Sequence, residues 1–273
     1  MRTMASGRGM SVAVVVPTFN EADNVEELLG RLSGALAHLT ATIVIVDDGD
    51  DDLPQRVARM QPQSPLTVCV LRRGEPVGRL GGAVLEGVRR TSSDVVVVCD
   101  GDLQHPPELI GAMVEQLVDS DVVVASRYMG GGSAQGLSGM LRHVISRGSV
   151  ALSKTVFPRR LGDCSDPMSG FFAFRRDAVS IELLRPRGYK ILLEIIARSG
   201  PLRVVELPFV FGERVFGVSH ATASEGLRFL RQLLALRSAA YWGALRPKPV
   251  APLPEVRSGQ EPRQIRSAEA ELF

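Results

Sequence analysis

A chain of 273 residues with 45% hydrophobic and 23% charged side chains is long enough for one α/β domain with a well-buried core, and its composition excludes wholesale disorder and a multi-span membrane protein. A formal net charge of +2 is too balanced to point to nucleic acid, so any basic patch must be local. Cys69, Cys99 and Cys164 show neither a C-x-x-C pair nor zinc-like spacing, which suits a reducing compartment such as the cytoplasm.

Residues 1–10 read as a flexible end. The apolar run that follows, 12–16, is far too short for a signal-peptide core, and no later run reaches about eighteen consecutive apolar residues. Runs 12–16, 42–46, 67–71, 95–99 and 122–125 are β-branched with little alternation. That is the pattern of strands covered on both faces, and hence of a mostly parallel sheet. Between the first two, Val25, Leu28, Leu29, Leu32 and Leu36 share one helical face. Residues 83–90 and 107–118 supply two more helices, the second opening on a proline whose missing N–H is harmless there. The first half reads as β-α-β-α-β-α-β, a doubly wound α/β fold with helices on both faces.

Past Ala125 the pattern changes. The glycine-rich stretch 130–136 suggests a mobile loop, and 140–157 a helix carrying Arg142 and Arg147. Residues 171–175 and 203–207 look like strands of an acceptor-side subregion, with a helix at 189–198 between them. Residues 224–241 form an amphipathic helix with Leu227, Leu230, Leu233 and Leu234 on one side and Arg228, Arg231 and Arg237 largely on the other. The expected organisation is a catalytic domain over 11–222, this helix within 223–243, and a disordered tail over 244–273, where prolines and dispersed charge replace apolar content.

The most informative segment is the valine run 95–98 followed by Cys99, Asp100, Gly101, Asp102, Leu103 and Gln104. A buried strand ending in two aspartates puts carboxylates at the carboxyl edge of a parallel sheet, where α/β proteins bind ligands. Positions i and i+2 of an extended chain face the same way, so Asp100 and Asp102 can converge on one hard cation, with Gln104 adding a neutral oxygen. Gly101 lets a phosphate approach the backbone. A magnesium or manganese ion held there would offset the charge on a departing nucleoside diphosphate. The second strand ends in Asp47 and Asp48, placed to accept hydrogen bonds from a base or ribose, followed by Asp50–Asp52, which read as solvated. The first strand ends in Pro17, Phe19 and Glu21, where the proline should stop the ladder and leave a base-binding rim.

Val14-Val15-Val16-Pro17-Thr18-Phe19-Asn20-Glu21, Val46-Asp47-Asp48-Gly49, Asp100-Gly101-Asp102-Leu103-Gln104-His105-Pro106-Pro107, Ala125-Ser126-Arg127-Tyr128, Asp166-Pro167-Met168-Ser169-Gly170-Phe171-Phe172 and Gly188-Tyr189-Lys190-Ile191-Leu192-Leu193-Glu194 occur in the order of the dolichol-phosphate (polyprenol monophospho-) mannose synthases. The chain resembles that family from about Val12 to His220. The resemblance implies a GT-A fold and inverting transfer of mannose from GDP-mannose to a polyprenyl phosphate, with Mg2+ or Mn2+ as cofactor. It implies a nucleotide pocket of Pro17, Phe19, Glu21, Val46, Asp48, Gly101, Lys190 and Arg214, and a metal held by Asp100, Asp102 and Gln104. Arg127, grouped with the two aspartates as catalytic, would bind phosphate, and Arg142, Ser169, Gly170 and His220 would serve the acceptor phosphate. His220 stands where the family usually has lysine.

A polyprenyl-phosphate glucosyltransferase using UDP-glucose shares all of this chemistry, and a non-catalytic nucleotide- or lipid-binding module is the alternative from another class. A sugar nucleotidyltransferase would need a glycine-rich basic loop after the first strand, which Pro17-Thr18-Phe19-Asn20-Glu21 is not. A lipid acceptor implies a peripheral protein meeting the cytosolic face of a membrane, through the 224–241 helix, whose leucines could equally pack on the domain core, or through a small membrane-anchoring partner.

Overall fold

A computed structural model describes residues 9–60, 66–134, 140–162, 164–186, 188–212 and 223–238. Seven strands form one sheet: β1 (Val12–Thr18), β2 (Ala41–Asp47), β3 (Thr67–Arg72), β4 (Val95–Val98), β5 (Val122–Ser126), β6 (Phe172–Arg175) and β7 (Val204–Pro208). Their order is β3-β2-β1-β4-β6-β5-β7. All neighbours run parallel except that β6 lies antiparallel between β4 and β5. Alternate residues feed two cores, because successive strand side chains point to opposite faces. Val14, Val16, Ile43, Ile45, Val95 and Val97 enter one core with α1 (Val25–Ala35), α2 (Leu53–Met60) and α4 (Ile110–Gln116). Val15, Val44, Val46, Val96 and Val98 enter the other with α3 (Arg79–Arg89), α7 (Ile191–Arg198) and α8 (Ala223–Arg237). The doubly wound α/β expectation holds.

Four expectations change. First, α2 has no counterpart in the sequence reading, although Leu53, Val57 and Met60, which pack on the core, stand at i, i+4 and i+7; the helix is only eight residues long. Second, β6 and β7, expected as strands of an acceptor-side subregion, build no sheet of their own. They complete the main sheet, and antiparallel β6 begins at the edge where the parallel strands end. Third, Pro17 sits inside β1, in register with Val46. Val15 O accepts from Cys99 N, so alternate β1 residues face β4, and Pro17 falls where β4 has already ended. Its missing N–H therefore removes no ladder bond. Fourth, the described part of the glycine stretch is tied down. Ser133 N donates to Phe209 O at 2.9 Å, and Phe211 N donates to Ser133 O at 2.8 Å.

The remaining helices are α5 (Met140–Val156) and α6 (Pro158–Leu161). α8 packs against α5 and α7, but not through the leucine stripe read from the sequence. Gln232, Leu233 and Leu236 are buried, Phe229 is half-buried, and Leu230 and Leu234 are 45% and 71% exposed. The inward face is therefore 229/232/233/236, and the leucines are split between core and solvent. Among the described residues, no helix is long and apolar enough to cross a membrane.

Candidate active site

The acidic turn after β4 is fixed by its own side chains. Asp100 N donates to His105 Nδ1 at 3.0 Å, Gln104 N donates to Asp102 Oδ1 at 3.1 Å, and Leu103 takes φ +64°. His105 is 2% exposed, stacked on Phe171 with ring centroids 5.2 Å apart and met by Phe209 and Phe211. Burial lowers its pKa to about 4, opposed by Asp102 and Asp166 and aided by Arg127. The ring is therefore neutral near pH 7, with Nδ1 as acceptor and the proton on Nε2. Gln104 donates its amide nitrogen to Gly212 O at 2.8 Å, which leaves the amide oxygen as its ligating atom. Gly101 is required by space, since a side chain there would meet the Glu21 carboxylate and the Thr18 methyl.

Asp100, partly exposed, and Asp102, buried, together with Gln104 make a hard oxygen donor set. Among the described residues no group of three or more His, Cys, Asp or Glu is assembled to hold a metal. The donors thus fit a cation that completes its shell from phosphate oxygens and water, as Mg2+ does.

On the β1–β3 side, Asp47 is fully buried and receives Arg72 at 2.6 Å and the Thr18 hydroxyl at 3.0 Å. It is a structural brace, not a base contact. Asp48 is gripped by both arms of Arg73, Nε to Oδ1 at 2.6 Å and Nη2 to Oδ2 at 2.5 Å, with each side chain about one-tenth exposed. Arg73 also donates to Val77 O and Arg79 O, so one guanidinium holds both Asp48 and the turn before α3. Asp51, expected in water, accepts from Ala22 N at 2.9 Å, and its carbonyl accepts from Arg72. Phe19 projects into solvent, 53% exposed. The Val46 side chain does not line the pocket: it is fully buried in the core that α3 covers.

On the β5–β6 side, Arg127 follows β5 and meets Asp166, which is fully buried, through Nε at 2.7 Å and Nη2 at 2.9 Å. Its guanidinium carbon also lies 5.4 Å and 5.6 Å from the Tyr128 and Phe211 ring centroids. Ser169, assigned to the acceptor phosphate by resemblance, is buried instead. Its hydroxyl lies 2.7 Å from Ala125 O and 3.2 Å from Phe171 O, and it accepts from Phe171 N. Its side chain therefore braces the loop and is not aimed at a ligand. Gly170 lies against the metal motif: a β-carbon there would sit 3.0 Å from Asp100 Oδ2. Lys190 lies beneath this loop, Nζ 3.4 Å from Met168 O. Burial lowers its pKa to about 8, Arg127 lowers it further, and Asp166 and Asp100 oppose the shift. Asp100, Asp166, Arg127 and Lys190 thus form one electrostatic cluster. Arg142 lies on α5 with its side chain outside the described residues, as are Arg214 and His220.

Residues 13–181 match glycosyl transferase family 2. The chain belongs to that family. Within it, the chain is 32% identical over 238 residues to the dolichol-phosphate mannosyltransferase of Saccharomyces cerevisiae, covering 82% of this chain and 86% of the yeast one. It is 40% identical over 228 residues to that of Pyrococcus furiosus, covering 83% of this chain and 64% of the relative, so it spans slightly under two thirds of that relative's length. An undecaprenyl-phosphate mannosyltransferase of Micrococcus luteus is 30% identical, with 87% and 98% covered. Glucosyl-3-phosphoglycerate synthase of Mycobacterium tuberculosis has the same fold, with a TM-score of 0.58 at 22% identity and 86% and 81% covered.

In this family 2 glycosyltransferase the sequence reading missed the holders of the site: Arg72, Arg73, His105 and Glu206. His105 stood within a quoted motif and Asp166 within another. Arg73 and Glu206 carried no local signal, because their partners lie 25 and 40 residues away.

Proposed function

We propose that this protein transfers mannose from GDP-mannose to a polyprenyl phosphate with inversion at the anomeric carbon, working as a peripheral protein on the cytosolic face of a membrane. The observation that carries the reading is the convergence, at one sheet edge, of the Asp100/Asp102 pair with Arg127 and Lys190 across the Gly170 turn. The mannosyl acceptor class rests on relatives whose names specify dolichol phosphate and undecaprenyl phosphate.

Phe19, Glu21, Pro17 and Asp48 form the nucleotide rim, and Gly101 admits the diphosphate. Asp100, Asp102 and Gln104 would hold Mg2+ or Mn2+, which supplies charge compensation to the leaving diphosphate; a fold neighbour was crystallised with Mn2+ and UDP-glucose. Arg127 and Lys190, with Arg142, Arg214 and His220, supply cations for the donor and acceptor phosphates. Two anions must approach each other here, and oriented guanidinium donors counter that repulsion. A phosphate monoester is largely dianionic at neutral pH, so its oxygen needs aiming more than deprotonation. No side chain is assigned as general base.

The exposed Leu230 and Leu234 on α8, beside exposed Arg231 and Arg237, suit an anionic lipid interface. Flotation with anionic liposomes should weaken in a Leu230→Ser/Leu234→Ser variant, and unchanged binding would leave contact to an anchoring partner.

The deciding experiment supplies radiolabelled GDP-mannose or UDP-glucose with a short polyprenyl phosphate, in Mg2+, Mn2+ or EDTA, and identifies the lipid-linked product. Labelled mannosyl lipid that disappears in EDTA is the expected result. Glucosyl lipid would replace the donor assignment, and no lipid product from either donor would overturn the reading.

A further inference from the structure

Glu206 lies on β7, opposite Val124 of β5, and no motif drew attention to it. Its carboxylate accepts from Ser165 N at 2.8 Å, the Ser165 hydroxyl at 3.0 Å and Asp166 N at 3.0 Å. The Ser165 hydroxyl is also 2.6 Å from that of Ser126, the residue just before Arg127, and the Ser126 oxygen accepts from Tyr128 N and Met129 N. A strand-borne carboxylate therefore clamps the turn 164–166, and that turn presents Asp166 to Arg127.

We propose that Glu206 is a positioning residue for the acceptor phosphate, acting through Asp166 on the Arg127 guanidinium. The proposal rests on the reading above that Arg127 contacts phosphate, and it narrows that contact to the acceptor's. Arginine has five N–H donors in a rigid plane. Asp166 takes the Nε one and one on Nη2, which leaves three for a ligand and fixes the direction in which they point. The pair is close to neutral in net charge, so Arg127 holds phosphate by the aim of its fork and depends on whatever fixes Asp166. The two flanking rings limit tilt, and Glu206 sets the position of the carboxylate itself. Lys190, not part of this chain of bonds, supplies net positive charge.

Glu206→Gln is the informative change. It keeps the shape but sets an amide NH2 against a backbone N–H, either that of Ser165 or that of Asp166, so one clamp bond is replaced by donor facing donor. Steady-state kinetics of the full chain, with short polyprenyl phosphate and nucleotide sugar varied separately, should show the acceptor KM raised about ten-fold, as expected for loss of one charge-assisted bond. The donor KM should stay within about two-fold. Ser165→Ala removes only the hydroxyl contacts, keeps both amide bonds and should move the acceptor KM the same way, by about three-fold; it covers the case in which Glu206→Gln fails to fold. Arg127→Lys, run alongside, should raise the acceptor KM at least as far as Glu206→Gln. Donor and acceptor KM rising together would make Glu206 merely structural and overturn the proposal. An unchanged acceptor KM in both clamp variants, with a raised one in Arg127→Lys, overturns the relay but leaves the functional reading standing. An acceptor KM unmoved by Arg127→Lys removes that reading and the relay with it.

Discussion

Two buried arginine–aspartate pairs flank the acidic turn, and they are built in opposite senses. On the β2–β3 side the proposed function makes the carboxylate of Asp48 the ligand-facing group, held by Arg73. On the β5–β6 side it makes Arg127 the ligand-facing group, held by Asp166. Each pair is bidentate and nearly closed to water. Under that proposal the difference follows from what each would meet: a nucleoside offers N–H and O–H donors that suit a carboxylate, whereas a phosphate offers only acceptors and suits a guanidinium. The holder matters as much as the ligand-facing group, because an ion removed from water needs its partner.

The strongest way to test this division is at the turn the two pairs share. Asp100→Ala should lower kcat by about 10²–10³-fold, on the scale of losing one preorganised electrostatic contact to the leaving group. Near-normal turnover would rule out a role for the acidic turn in departure. Next, Arg73→Leu should raise the donor KM and leave the acceptor KM alone, while Asp166→Asn should do the reverse. Each strands or weakens a buried charge at about 3 kcal/mol of stability, readable in urea unfolding, and identical KM patterns for the two variants would erase the contrast.

Lys190 gives a pH signature of intermediate size. Its folded pKa of about 8 lies below the ordinary lysine value, so its charge is present below pH 8 and fades as pH rises through it. Donor kcat/KM should therefore fall above about pH 8, and Lys190→Met should flatten that limb. In folding the sign is opposite to that of a paired lysine. Between about 8 and 10.5 the unfolded chain binds more protons, so this group's contribution to stability rises with pH in that window. The smallest effect belongs to Ser169→Ala: loss of the bond to Ala125 O costs about 1 kcal/mol, with neither KM moved more than about two-fold, as a brace requires.

The sequence exposed the two sides unequally. In the β1–β5 half, every strand and the acidic turn could be read locally, since buried parallel strands are continuous β-branched runs and Asp100, Asp102 and Gln104 are neighbours in the chain. Only α2 escaped, a short helix whose spacing of Leu53, Val57 and Met60 went unused. In the second half, the strands at 172–175 and 204–208 were found, but their place in the sheet was not. Nothing local says that β6 inserts antiparallel between β4 and β5, and that insertion carries Asp166, Ser169 and Gly170 to the edge where Asp100 waits. The leucines of α8 failed for a related reason: helical spacing finds a face, but neighbouring helices decide which one is buried.

The α/β class and the strand-terminal acidic pair were legible from the chain because each depends on residues within a few positions of one another, and the family was legible because its short local motifs recur in a fixed order. Only the folded arrangement makes Asp47 a brace, puts Asp48 in the grip of Arg73, lets Ser169 support a loop, and brings Glu206 to the turn presenting Asp166 to Arg127. Those roles depend on which carboxylates meet which donors across tens of residues, and the ladder of the sheet fixes that, not the order of the chain.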